Sequence, residues 1–513
     1  INQAIGQNSK DEPDAIGGDR AVLVQNVLVA RTGRIQTRPG STLVADDKGA
    51  DAVDGLGHLV TEGGTDQQHM VAGGVWFNRA AGGATWSTLA SGFSSGARTF
   101  LIQAADILFF SDGVNNVRST DGSTVTDEGD INTSPPKFQF GIYHQNRLLV
   151  GRRDDSLISF SDALAPQTWD RSANAIKVSD QDGNTGRALI NLTLTTVNSF
   201  LYFKNRSVFL IDSSDSNPAN WVRIVIDDRH GTVSERTAVF MGSGEFAGGV
   251  AYVSCDGSED GSNVFRVRTI LKIGTDSVSP GPIISHDIED VLTDVNEGQA
   301  EKMALTFFNN RLILAFPSGS STFNNKIAVL DLTVSNNSQR DYKWQVYDGW
   351  NAALWDIYTE SSIEALYFGE ASADTIVQTA FDGTTDNGVA ITSKITHRAE
   401  DANIPEINKT WEFVEVFFRS TDTSLATIRA IFDNGESSDL GTVSLAGAGP
   451  TLPVNLPFDL SAQARLSQKF PLDSQISRTV QIEVEHSSGA GGDEMQYLGY
   501  ILAGWPENLS FTD

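Results

Sequence analysis

Apolar and polar positions alternate along this chain in short runs, and one plan recurs seven times: a short apolar strand, a polar turn and a second short strand. The clearest copies are RLLVGRRDDSLISFS (147–161), SFLYFKNRSVFLID (199–212), GVAYVSCDGSEDGSNVFRVR (249–268) and RLILAFPSGSSTFNNKIAVLDL (311–332). Weaker copies lie at 107–119, 365–380 and 70–78. Their first strands start near Met70, Ile107, Leu148, Leu201, Ala251, Leu312 and Leu366, about 37 to 61 residues apart, which brackets the roughly 40 to 50 residues of one propeller blade. An antiparallel four-stranded blade cannot hide both of its faces alone; radial stacking buries face against face and leaves only short edges. The pattern predicts an all-β chain containing a β-propeller of six to eight blades, with seven preferred.

After the repeats the strands lengthen: AITSKITHR (390–398), TWEFVEVFFR (410–419), ATIRAIFD (426–433), TVQIEVEH (479–486) and QYLGYILA (496–503). They predict a C-terminal β-sandwich. The expected division is therefore an N-terminal arm and closing hairpin over 1–54, propeller repeats over 55–388 and the sandwich over 389–513. The hairpin AVLVQNVLVARTGRIQTRPGS (21–41) is the candidate for completing the last blade.

Composition sharpens this picture. Asp-Gly, Asn-Gly and Ser-Gly steps such as Asp112-Gly113, Asp348-Gly349 and Asn434-Gly435 supply the positive φ angles of tight hairpins. The 513 residues, 40% hydrophobic, suffice for a large core. A net charge of −28 argues against wrapping nucleic acid through phosphate neutralisation, yet suits a wall past which DNA slides without sticking. Cys255 is the single cysteine, so no intrachain disulfide forms; at the end of the apolar run VAYVSC it reads as a small buried hydrophobe rather than a nucleophile. No run approaches 18 apolar residues, so neither a membrane span nor a signal peptide is legible.

Candidate chemistry is sparse. A glycosidase needs two carboxylates placed across a pocket, and 65 acidic residues nominate no pair. Asp180, Asp182 and Asn184 have the alternating oxygens of a calcium loop but lack its closing Glu, and Asp256 and Asp260 fit a solvated hairpin tip; both stretches read as turns. The histidines are scattered singly without zinc spacing, and no Gly-rich step carries the Lys-Ser/Thr of a phosphate loop. Trp344, Trp350 and Trp355 read as wedges between blades rather than a sugar platform. No catalytic residue, cofactor or metal is expected. Arg31, Arg34 and Arg38 form a local basic cluster, a candidate contact with a neighbouring subunit or an adaptor ring, against the plainer reading of a solvated hairpin face.

Three passages, in order, carry a resemblance: DEPDAIGGDRAVLVQNVLVARTGRIQTRPGS (11–41), ISFSDALAPQTWD (158–170) and SKITHRAEDANIPEINKTWEFVEVFF (393–418). Their acidic-Pro lead, Asn-Val step, Arg-Pro-Gly ending and Pro-x-Thr-Trp blade end resemble the propeller-type tail nozzle, or tail hub, proteins of short-tailed bacteriophages. The resemblance implies a non-enzymatic virion protein assembled in the host cytoplasm. It would form a homo-hexameric distal tube below the portal and its adaptor ring, with tail fibres or a needle as further partners. The tube would retain packaged DNA and conduct it at ejection without binding it specifically. Six chains of −28 would carry about −168, a field that keeps DNA off a lumen wall. The alternative is a carbohydrate- or receptor-binding propeller module, and a third reading is a glycosidase-like enzyme.

Overall fold

The computed structural model describes residues 6–13, 15, 20–29, 35–178, 183–195, 197–257, 263–335, 341–360, 362–372, 374–419, 424–433, 435–445, 465–488 and 495–507. Strands dominate, and the chain divides into two compact units: 43–327 with 350–380, and 1–42 with 328–349 and 381–513.

The first unit holds the closed inner ring of a seven-bladed β-propeller. Blades 1 to 5 are four-stranded meanders whose innermost strands are Val53–Val60, Phe100–Ala104, Phe140–His144, Gly186–Thr193 and Ala238–Met241. Blades 6 and 7 begin with Ala304–Phe308 and Ala352–Glu360. Each innermost strand neighbours the next, and that of blade 7 returns to blade 1, so the ring closes. Each repeat read from the sequence is the second and third strand of one blade. The count of seven follows from the closed ring.

The connections between first and second strands show why the sequence turns where it does. Two-residue turns at Gln145–Asn146 and Asn309–Asn310 have φ of 46° and 60°, and 48° and 59°, the paired left-handed geometry whose twist matches a hairpin. Adjacent blades then pack through aromatic and branched side chains. Between blades 3 and 4, Phe140, Leu149 and Phe160 meet Leu189, Phe200 and Trp221. Burying each such side chain contributes about 1.5–3 kcal/mol.

The propeller is not closed by the N-terminal hairpin, as the sequence suggested. Blade 7 is completed by the segment after it: Val44 N donates to Val377 O at 3.0 Å and Lys48 N to Thr375 O at 3.2 Å. The hairpin belongs to the second unit. There Arg20–Gln25, Thr392–His397, Val480–Ser487, Leu425–Phe432 and Ser437–Ser444 lie side by side in one sheet. A second sheet contains Val27–Val29, Ile35–Thr37, Gln496–Pro506, Lys409–Arg419 and Arg465–Ser477. The two sheets share one apolar core, in which Val24, Ile395 and Ile428 of the first lie with Val29, Ile35, Trp411 and Phe418 of the second. The hairpin's apolar positions are fully used here, which is why they are not available to a blade.

Candidate functional site: an arginine-lined cavity in the propeller

In each blade the turn between second and third strands and the link to the next blade come from the same strand ends. Those of blades 3 to 5 converge on a cavity of about 830 Å³. Arg153 follows the second strand of blade 3, Arg187 starts blade 4, Arg206 sits in a turn of blade 4, and Arg229 and His230 lie in the link to blade 5. Arg266 and Arg268 come from the third strand of blade 5, and Glu297 and Glu301 from the 3-10 helix Glu297–Lys302 that precedes blade 6. Six arginines thus face three carboxylates, Asp256, Glu297 and Glu301, the reverse of the balance in the chain as a whole.

Half of these arginines are matched. Arg266 and Arg268 grip Asp256 at 3.0 and 2.7 Å, and Arg266 also reaches Glu289 at 2.5 Å. Burial alone would raise the Asp256 carboxyl, but the hydrogen bonds from Arg268, Ser254 and Arg266 outweigh it and hold the group below the ordinary carboxylate value. Arg153 pairs with Glu301, whose carboxyl its hydrogen bond depresses. Arg187 has no such partner: its guanidinium donates to Thr185 Oγ1 at 2.8 Å, Gly186 O at 2.9 Å and Arg153 O at 3.0 Å. Burial, and then the Arg153 cation, push its pKa down from the usual arginine value.

Cys255 also lines this cavity, so the expectation of a buried small hydrophobe is corrected: its strand runs past the blade interface and the thiol is exposed. Partial desolvation of the sulfur in the cavity wall, and then Asp256 and Glu297, raise its pKa, which keeps it a thiol rather than an attacking thiolate.

Beside the cavity, charged side chains cross the propeller axis. Glu235 and Arg236 lie in the link between blades 4 and 5. The Arg236 guanidinium donates to Asp54 O at 2.6 Å, Thr99 O at 3.0 Å and Ala353 O at 3.4 Å, spanning blades 1, 2 and 7. Buried Glu235 pairs with Arg98 at 2.6 Å and Arg153 at 3.7 Å. Burial, then the Arg98 cation, lower the Arg236 pKa to about 9, so it remains charged at neutral pH. One link thereby ties four other blades together across the axis.

The sequence candidates fare differently. Arg31 and Arg34 lie outside the described residues. Arg38 is buried in the second unit, where it pairs with both carboxylate oxygens of Asp386 at 2.8 and 2.6 Å and donates to Asn26 Oδ1 at 3.1 Å. Its charge is compensated inside the chain, so the reading of Arg38 as a subunit or adaptor contact is corrected to a structural one. Trp344 and Trp350 are fully buried, while Trp355 is half-buried with its Nε1 donating to Ala304 O at 3.1 Å. Asp180 and Asp182 lie outside the described residues, among which no cluster of three metal-ligating side chains occurs. No helix among them is long and apolar enough to cross a membrane. The cavity is not legible in the sequence because its arginines come from separate stretches of the chain, Arg153, Arg187, Arg206, Arg229 and the pair Arg266 and Arg268.

No family model and no curated protein matches the chain. Solved structures similar to it include the hydrazine synthase of Kuenenia stuttgartiensis, 12% identical with a TM-score of 0.43, covering 64% of this chain and 97% of that one. YCF48 from Cyanidioschyzon merolae is 9% identical with a TM-score of 0.38 over 66% of this chain and 98% of its own. BamB from Moraxella catarrhalis is 10% identical with a TM-score of 0.36 over 67% and 97%. The propeller assignment rests on the closed ring of blades.

Proposed function

We propose that this chain is a structural virion protein, six copies of which form the nozzle of a short bacteriophage tail beneath a portal and adaptor ring. The observation that carries the reading is the place of the resembling passages in the fold. The first and third, far apart in sequence, are hydrogen-bonded neighbours, with Ala21 opposite His397 and Val24 opposite Ile395, and the second supplies most of the third strand and the buried Trp169 of blade 3. Because Glu235 and Arg236 cross the propeller's own axis, a DNA conduit in this reading runs between subunits rather than through a propeller.

A ring of identical chains needs two different surfaces that fit each other. The outer strand of blade 4 exposes Val222, Ile224 and Val225, and the second unit exposes Ile476, Ile501 and Trp505. Such apolar groups are candidates for subunit contacts. The second reading, a ligand-binding propeller, draws on the arginine-lined cavity.

Negative-stain microscopy of the purified chain, alone and mixed with portal and adaptor proteins, tests the proposal. Six-fold rings with a central opening are expected. Single propellers in both samples would overturn the nozzle reading.

A further inference from the structure

We infer that the arginine-lined cavity is a binding site for a small polyanion carrying two or more phosphate groups. The inference does not depend on the nozzle reading and holds whether or not six-fold rings form.

Three cations of the cavity lack an anionic partner at close range. Arg187 spends its hydrogen bonds on neutral oxygens. Arg206 makes no hydrogen bond or ion pair with any described residue. Arg229 has only Asp228, at 3.9 Å, with both side chains more than 80% exposed. Such a surface pair is worth little. These three enter one cavity from three separate connections.

Their backbones are also locked to one another. Asn205 N donates to Thr185 O at 3.1 Å while Thr185 N donates to Asn205 Oδ1 at 3.0 Å, which fixes the Arg187 strand against the Arg206 turn. Thr232 N donates to Lys204 O at 2.9 Å, and a Cβ on Gly231 would stand 1.9 Å from Lys204 O and 2.5 Å from Arg206 N. The link that carries Arg229 therefore packs backbone to backbone on the same turn. Fixed backbone positions lower the ordering cost of binding.

Phosphate suits this arrangement. A guanidinium offers its donors in a rigid planar fork, and the tetrahedral oxygens of phosphate accept from several forks at different angles, whereas the acceptor directions of a carboxylate lie in one plane. A volume of about 830 Å³ exceeds what a single phosphate fills and lies in the range of organic ligand sites. Together these point to a compound with several phosphate groups.

Isothermal titration calorimetry with sodium tripolyphosphate at low salt tests the inference. Saturable binding of one ligand per chain is expected, weakened at least about 10-fold in the double variant Arg187→Gln/Arg206→Gln, since each charged hydrogen bond lost is worth a factor of that order. The variant Arg152→Gln alters a cation that pairs with Asp154 and does not line the cavity, so it should bind as the unaltered chain does. Circular dichroism melts confirm that the variants are folded. Absence of saturable binding, or equal binding by the double variant, would overturn the site. Tighter binding of a hexaglutamate peptide than of tripolyphosphate would overturn its ligand class in favour of an acidic segment.

Discussion

Acid is expected to destabilise the propeller through His69. It lies on the second strand of blade 1, fully buried, with a ring centroid 5.7 Å from that of Trp76 and no hydrogen-bond partner for either ring nitrogen among the described residues. Burial, and then the neighbouring His58, lower its pKa from 6.5 to about 3. A histidine held neutral in the fold binds fewer protons there than in the unfolded chain, so its folded state is fully favoured above pH 6.5 and loses stability as pH falls toward 3. The loss is about 0.2 kcal/mol at pH 7 and about 2 kcal/mol at pH 5, because the unfolded imidazole has by then taken up its proton and the buried one has not. Replacing His69 with Leu removes the titration and the two unsatisfied nitrogens together. The variant should be at least as stable as the unaltered protein at pH 7, and its advantage should grow by about 2 kcal/mol at pH 5. Urea unfolding at both pH values, with the slope unchanged, measures the difference. If the gap between the two proteins is the same at pH 7 and pH 5, the imidazole ionises in the folded state and the reasoning fails.

Three further perturbations probe other parts of the fold. Arg236→Met leaves the carbonyls of Asp54, Thr99 and Ala353 without this donor and takes a cation from beside buried Glu235; a loss of about 3 kcal/mol or more is expected by urea unfolding, with blades 1, 2 and 7 exchanging amide hydrogens faster. Asp386→Asn strips the buried Arg38 of its counter-charge and should cost about 3–5 kcal/mol, whereas Asp439→Asn, at an exposed pair with Arg429, should cost less than about 1 kcal/mol; thermal melts compare the two. Gly231→Ala places a methyl 1.9 Å from the Lys204 carbonyl, so the link must move off the Arg206 turn. It should lower the melting temperature, and it should also weaken tripolyphosphate binding if the locked backbone positions the arginines.

The repeating unit is legible along the chain because the middle strands of each blade are covered on both faces. Asn198–Lys204 and Val208–Asp212 are buried along almost their whole length, and that shows as continuous apolar runs. Innermost strands such as Phe140–His144, half-covered, and outer strands such as Val222–Asp227, largely exposed, carry a weaker signal, which is why each repeat was legible only as its central hairpin. Asn and Gly at left-handed positions marked the turns for the same local reason.

Partnership was decided only in three dimensions. The alternation of Val24, Val27 and Val29 announces strands with a buried face, yet it reads the same whether that face meets a blade or the strands near Ile395 and Trp411. The run ending at Cys255 announces burial but not where the strand emerges from its neighbour blade. Arg38 and Arg206 are both arginines beside turns. One is buried because Asp386, hundreds of residues away, is folded against it, and the other faces a cavity because no described carboxylate is. Local periodicity reports how much of a strand is covered; which residues cover it depends on long-range pairing, and that is where both the buried ion pair and the cationic cavity arise.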